Sequence, residues 1–360
     1  MSFDPILTFI LSLSLLAIFI KFADRLGFSD MPDFRSSHKK TTPSSSGIAF
    51  FVAVFLAAFL TDFDIYQNYR LSILGVLLVF LLGVFDDLKN YRARYKLYII
   101  TLAAILACVD GFIINDIGTF FGHDILLMSI SIPFTIFAVV AFTNALNLID
   151  GLDGLAGTIS IIILSSLWFI GYQNNDYLIM GVTALIVPAL LAFLVFNWNP
   201  AKVFMGDSGS LTLGFTISIL SIKALDYINP IVVLYLVAFP LFDTIIIMIR
   251  RKMYGQSIFH PDKNHAHHVF LNLFEGKVKK TVLIIASIQI FYTLAGILLV
   301  NSLPQEITLP FLVLNIIVWY FVLTRLCKNH SSMMQNRSLK TKKDRTVTKR
   351  EYSSTSKKEI

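Results

Sequence analysis

Residues 196–214, FNWNPAKVFMGDSGSLTLG, join two apolar runs through a short polar turn. The run before it covers 177–196 and the run after it begins at Leu211. An α-helix needs about 17 to 25 mostly apolar residues to cross a bilayer, so the stretch reads as a connection between membrane helices. Its contents are those of a site: Asp207 and Ser208 sit between Gly206 and Gly209, with Lys202 upstream. A carboxylate in a glycine-rich turn at the mouth of a hydrophobic segment suits holding a cation beside a phosphate. The plainer alternative is an ordinary interhelical loop.

Outward from this stretch the same alternation of apolar run and polar turn fills the chain. Apolar runs are counted near residues 4–20, 47–61, 70–85, 95–112, 127–143, 155–171, 177–196, 211–225, 230–249, 281–300 and 308–326. Of 360 residues, 56% are hydrophobic and only 15% charged, against roughly 25% charged in a soluble domain, and the mean hydropathy is +0.71. The expected fold is all-α: a polytopic integral membrane protein of about 11 transmembrane helices. The first run carries Asp4 where a signal peptide has basic residues, and no small-residue cleavage site follows, so it reads as a retained helix. Cys108 and Cys327 lie far apart at helix ends and read as small hydrophobes.

Charge sets the expected orientation. Of the 30 lysines and arginines, all but Arg70 and Lys223 fall in alternate loops or the C-terminal tail. By the positive-inside rule that side is the cytoplasm, with the N-terminus outside and the C-terminus inside. The expected organisation is a membrane domain over 1–327 and a basic cytoplasmic tail over 328–360. The tail's net charge of +7 equals that of the whole chain and suits an anionic lipid surface. No folded nucleic-acid recognition module accompanies the charge, so nucleic acid is not an expected partner.

On the cytoplasmic side the polar clusters accumulate. The first loop contains Arg35, His38, Lys39 and Lys40, which either attract anions or satisfy the charge bias. The third run ends in Asp86-Asp87, two adjacent carboxylates that repel unless a cation or a shared proton relieves them. After the fifth run, NALNLIDGLDGL sets Asn144, Asn147, Asp150 and Asp153 at intervals of three, a step that spirals off one face of a regular helix. Gly151 and Gly154 predict that the helix unwinds there, which a membrane tolerates where the backbone lines a polar cavity. Asp207 follows, with Phe204 beside it as a stacking surface for a planar ring or as a packed hydrophobe. Asp243 lies inside the ninth run, about seven residues before Arg250, as a functional acid or the partner of a basic side chain. The next loop offers His260, His265, His267 and His268 as an anion site, metal site or proton relay. The surrounding carboxylates are hard oxygen donors, which favour magnesium over zinc. Carboxylates with magnesium, and basic residues around them, are what transfer of a phosphoryl group asks for.

GVFDDLKN, NALNLIDGLDGL, FNWNPAKVFMGDSGSLTLG, HPDKNHAHH and, more loosely, MPDFRSSHKKTTP together resemble the bacterial polyprenyl-phosphate N-acetylhexosamine-1-phosphate transferases, glycosyltransferase family 4. The resemblance implies transfer of a sugar-1-phosphate, such as GlcNAc-1-phosphate, from a UDP-N-acetylhexosamine to undecaprenyl phosphate with release of UMP. That is the first membrane step of O-antigen or another surface polysaccharide. The implied setting is the bacterial cytoplasmic (inner) membrane, with the site facing the cytoplasm, membrane lipids around it and a homodimer left open. It further implies Mg2+, or Mn2+, as cofactor. Asp86 and Asp87 would act at the metal and the lipid phosphate, one of them as general base, and Asp207 would ligate the metal. Asn147, Asp150 and Asp153 would contact or shape the nucleotide-sugar pocket, Phe204 would face the uracil, and His265, His267 and His268 would contact phosphate. The His-Ala-His-His spacing is like the polysaccharide-initiating branch, whereas the peptidoglycan transferases, the first alternative, carry three contiguous histidines. Ser44, Ser45 and Ser46 stand where related first loops run into glycines. A cation- or proton-coupled transporter is the second alternative; it would bury its acids near the midplane and open to both sides.

Overall fold

The computed structural model describes residues 4–30, 42–60, 68–89, 91–253, 255 and 265–327. Arg35, His38, Lys39, Lys40, His260 and the tail 328–360 lie outside them. Helices stand at each of the apolar runs: α1 (Pro5–Leu26), α2 (Gly47–Leu60), α3 (Arg70–Lys89), α4 (Ala93–Val109), α5 (Ser131–Ile149), α6 (Leu155–Asn174), α7 (Tyr177–Asn197), α8 (Gly206–Ala224), α9 (Pro230–Leu236), α10 (Ala238–Met253), α12 (Val278–Leu298) and α13 (Gln305–Cys327). A short helix, α11 (Ala266–Leu273), carries the histidines. Seven of the described helices are long and apolar enough to span a bilayer, eight if the bent pair α9–α10 counts as one span. The chain is therefore a multi-pass, all-α membrane protein. At 14 residues α2 is short for a span, so the expected eleven is an upper reading of the pattern. Two small antiparallel pairs, β1 (Ser29–Asp30) with β2 (Thr42–Pro43) and β3 (Asp116–Phe120) with β4 (His123–Leu126), are the strands among the described residues.

The bundle is built around α8. Every residue from Ser208 to Ile222 is buried, and α3 and α5 pack along it. A fully buried helix so rich in hydroxyls must satisfy them internally. Ser210, Thr212, Thr216 and Ser218 do so by donating to the carbonyls of Gly206, Ser208, Thr212 and Gly214, at 2.7–3.0 Å. The expected start of this helix, Leu211, is five residues late. The helix begins at Gly206, so Asp207 lies in its first turn rather than in the loop before it.

At the junction of α9 and α10 the axes turn by 89°, which frees backbone groups that hydrocarbon cannot satisfy. Gln289 of α12, fully buried, fills the gap. Its Oε1 accepts from Phe239 N at 3.0 Å and its Nε2 donates to Leu236 O at 2.7 Å. Gln289→Leu keeps the volume but orphans two buried groups. It is expected to destabilise the protein by about 2–6 kcal/mol, at roughly 1–3 kcal/mol per unpaired group, read as a lower thermal midpoint in detergent. An unchanged midpoint would show that the bend stands without the glutamine.

Candidate functional site

Four elements converge: the end of α3, the end of α5 and the start of α8, which the sequence marks as polar, and the start of α4. Gly83 of α3 lets this happen, because a Cβ there would lie 2.4 Å from Ser208 Cα and 2.6 Å from Asp207 O. With α3 this close, Asp86 and Asp87 in its last turn meet the first turn of α8.

The two carboxylates take different partners. Asp87 Oδ1 accepts from Asp207 N at 2.7 Å and its Oδ2 from Ser208 N at 3.1 Å, satisfying amides that the first helical turn leaves open. Asp86, buried, accepts from Tyr91 N at 2.9 Å through Oδ1, while its Oδ2 lies 2.6 Å from Lys96 Nζ. That same ammonium stands 2.5 Å from Asp207 Oδ2. Asp207 Oδ1 accepts from Asn147 Nδ2 at 3.0 Å, and the Asn147 amide also reaches Ser210 Oγ at 2.8 Å. The result is a carboxylate–cation–carboxylate array with an asparagine fixing its far side. Asp86 and Asp207 are thereby joined through one ammonium, and Asp87 ties α3 to the first turn of α8 behind them. Among the described residues no three His, Cys, Asp or Glu side chains gather around one point as a ready-made metal cage.

The predicted unwinding is present: α5 ends at Ile149, residues 150–154 are irregular, and Gly154 takes φ +80° before α6 begins. Of the four residues spaced by three, Asn147 and Asp150 belong to the array electrostatically. Asp153 serves the neighbouring turn, its Oδ2 accepting from Asn199 Nδ2 at 2.8 Å and Ala201 N at 3.0 Å. Asn144 donates to Val140 O within its own helix at 2.7 Å. Burial, then the charges of Asp207, Asp87 and Asp153, push Asp150 up to about 7 from an ordinary 3.8. The sign follows from linkage: a carboxyl raised in the folded state binds its proton more tightly there, so its contribution is present near pH 4 and lost as pH rises through about 7. Asp150→Asn is therefore expected to leave the melting temperature unchanged near pH 4 and raise it above pH 7, read from detergent melts across pH. A difference that does not vary with pH would remove Asp150 from the charged cluster.

The histidines assemble on the other side of the 150–154 loop. Asp243 is buried in α10 and accepts from Ala266 N at 2.7 Å. Its Oδ2 lies 2.9 Å from His265 Nδ1, so the intramembrane acid has the basic partner that the sequence allowed for. His265 and His267 stack with ring centroids 5.6 Å apart, and His267 meets His268 at 4.2 Å. Burial and the neighbouring imidazoles of His268 and His265 hold His267 well below the usual histidine range, so its ring is neutral. Gly151 makes room for it: a Cβ there would lie 2.6 Å from His267 Nε2. His267 therefore docks the histidine helix on the aspartate loop, and His265 is fixed by Asp243.

Phe204 is half-buried, and its backbone holds the first loop: its N donates to Pro43 O at 2.8 Å, and its carbonyl accepts from Ser46 N at 3.0 Å and Ser46 Oγ at 2.8 Å. This is what the serine departure does. Ser46 donates twice to the turn before Asp207, and Ser45 packs against Gly206. Two residues were missed as site members. Lys96 stands inside the apolar run 95–112, and a lysine within such a run is the signal that sets it apart. Asn197 was passed over entirely; it bridges Gly154 N at 2.8 Å and Val203 O at 2.7 Å, and only the fold brings those segments together.

Residues 69–225 match the family described as Glycosyl transferase family 4. The chain is 33% identical over 289 residues to the "Probable undecaprenyl-phosphate N-acetylglucosaminyl 1-phosphate transferase" of Bacillus subtilis (strain 168), covering 78% of this chain and 80% of that one. It is 32% identical over 281 residues to the undecaprenyl-phosphate alpha-N-acetylglucosaminyl 1-phosphate transferase of Yersinia pestis, covering 75% and 77%. The protein of the same name from Escherichia coli (strain K12) is 31% identical over 281 residues, covering 75% and 76%. Each of these alignments spans most of both chains, and the chain belongs to glycosyl transferase family 4, alongside the undecaprenyl-phosphate N-acetylglucosaminyl 1-phosphate transferases.

Proposed function

We propose that the protein transfers N-acetylglucosamine-1-phosphate from UDP-N-acetylglucosamine to undecaprenyl phosphate, releasing UMP, at the cytoplasmic face of a bacterial inner membrane. The observation that carries this is the pairing of Asp86 and Asp207 through the Lys96 ammonium at the meeting point of α3, α4, α5 and α8. Placing that face in the cytoplasm, with the N-terminus outside, rests on the distribution of Lys and Arg. The relatives' names support both substrates, and the histidine spacing favours a polysaccharide-initiating role over the peptidoglycan one.

An oxygen of the lipid phosphate attacks the β-phosphorus of the donor, forming the new P–O bond. The bond from that phosphorus to the bridging oxygen breaks, and UMP leaves with the electron pair. The nucleophile is already an anion, so the chain's task is to place two like-charged phosphates together and offset their charge. Asp86 and Asp207 supply hard oxygen donors of the kind magnesium takes. They would hold a Mg2+ ion, which when bound supplies Lewis-acid neutralisation of the diphosphate. Asn147 and Tyr91 N keep the two carboxylates in place. Asp87 ties the start of α8 to α3, and His265, held by Asp243, offers its other ring nitrogen to a phosphate oxygen.

The apolar part of the bundle offers the polyprenyl chain a place along α5. An apolar cavity of about 340 Å³ is lined by Phe134, Phe137 and Phe142 of α5 and by Leu241 of α10, among others. Phe142 is five residues before Asn147 and Leu241 two before Asp243, so the cavity leads along α5 away from the polar array.

Purified protein given undecaprenyl phosphate, Mg2+ and separate UDP-sugars tests the reading. UMP release with UDP-N-acetylglucosamine, abolished by EDTA, is expected. Release only with UDP-N-acetylmuramoyl-pentapeptide would move the protein to the peptidoglycan branch, and silence from folded protein with every donor would refute the transferase reading.

A further inference from the structure

Lys96 is the one participant in the array that can leave it. Each carboxylate has one oxygen tied to a fixed donor, Asp86 Oδ1 to Tyr91 N at 2.9 Å and Asp207 Oδ1 to Asn147 Nδ2 at 3.0 Å. The other oxygen of each faces Lys96 Nζ, at 2.6 and 2.5 Å. The ammonium sits on a flexible four-carbon stem from the first turn of α4 and remains about one-fifth exposed. Asp87 and Asp150 stand nearby, so the site without any cation would gather like charges that repel strongly.

A divalent ion held by Asp86 and Asp207 would draw on the same two carboxylate oxygens. With those oxygens taken up by the divalent ion, the singly charged ammonium would lose both of its partners. We infer that Lys96 is the protein's own counter-ion for the Asp86–Asp207 pair, that it exchanges places with the divalent cation, and that the released ammonium then binds a phosphate oxygen of the sugar nucleotide. The inference rests on the cation-dependent reading above and adds an order of events to it. Before the ion arrives the site is neutralised internally; after it arrives, the same lysine is free to act on the diphosphate. Lysine suits that second role as a point charge for phosphate. The carboxylates stay in register throughout, because Tyr91 N and Asn147 do not move with the lysine.

Two measurements on the full-length chain in detergent test this without turnover. In the first, an amine-acylating reagent is applied with and without Mg2+, and the Lys96 peptide is quantified by mass spectrometry against exposed Lys202. Acylation of Lys96 is expected to rise severalfold with Mg2+ and to fall again when UDP-N-acetylglucosamine is added. In the second, Mn2+ binding is titrated by electron paramagnetic resonance. Lys96→Gln, relieved of the competing ammonium, is expected to bind about tenfold tighter than wild type while losing UMP release. If wild type binds Mn2+ but Lys96 acylation does not change, or if the variant binds no more tightly, Lys96 is a permanent bridge and the exchange is wrong. If wild type binds no Mn2+ at all, the cation-dependent reading itself fails along with it.

Discussion

Asp207→Asn is expected to reduce UMP release by about 10²–10³-fold, the scale of losing one preorganised electrostatic contact at a reacting phosphate, while melting within a few degrees of wild type. The substitution is isosteric and lies in the first turn of α8, whose helical fit does not depend on the side chain. Its effect is confined to charge and hydrogen bonding. Asp207 now accepts from Asn147 on one oxygen and pairs with Lys96 on the other. An amide offers one acceptor where two are used, so its NH2 must face either the Asn147 amide or the Lys96 ammonium, donor against donor. The site also loses a negative charge from the pair proposed to hold the cation. Turnover within tenfold of wild type in a folded, membrane-extracted variant would take Asp207 out of that pair. A large loss accompanied by a collapsed melting temperature would instead mark Asp207 as a structural cap, a role the geometry gives to Asp87.

The sequence could foretell the site's membership better than its division of labour. Asp86, Asp87, Asn147, Asp150, Asp207 and the histidines stood out because charged or amide groups at the ends of apolar runs are costly without a purpose. Which of them hold a cation and which hold the backbone depends on contacts between residues more than a hundred positions apart, such as Asp87 with Asp207 N. Periodicity along one chain does not encode these. Asp153 shows the same limit: its motif marks it as important, but its partners are Asn199 and Ala201, in a turn the chain reaches only after two more helices. The helices themselves were legible because each apolar run exceeds what a loop can bury. The start of α8 was misplaced because Gly206 to Ser210 is a weak helix former by composition, and its helicity is imposed by Asp87 and by packing. The sharp turn at α9–α10 left no signal in hydropathy, since both arms are apolar and the glutamine that stabilises the break lies about 50 residues later.

Gly83→Ala adds a single methyl and no charge, yet it is expected to lower activity by about 10²-fold or more and to depress the melting temperature as well. The new Cβ would stand 2.4 Å from Ser208 Cα and 2.6 Å from Asp207 O, both backbone atoms of a helix buried on every side. No side-chain rotation relieves such a contact, so α3 and α8 must separate by about an ångström at the level of the site. Overpacking of this kind costs roughly 1–3 kcal/mol, and a displacement of about 1 Å between reacting groups is worth about 10² in rate. The register between Asp87 and the first amides of α8 would be lost at the same time, and with it the spacing of Asp86 and Asp207 across Lys96. Gly75→Ala on the same helix supplies the comparison. Its Cβ would meet Ala103 O at 3.0 Å and the Phe215 ring at 3.3 Å, contacts that small shifts accommodate, about three turns away from the carboxylates. A much smaller loss of turnover there would locate the sensitivity in the separation of Asp86 from Asp207. Equal losses at both glycines would mean that the whole α3–α8 seam, rather than the spacing at its polar end, governs activity.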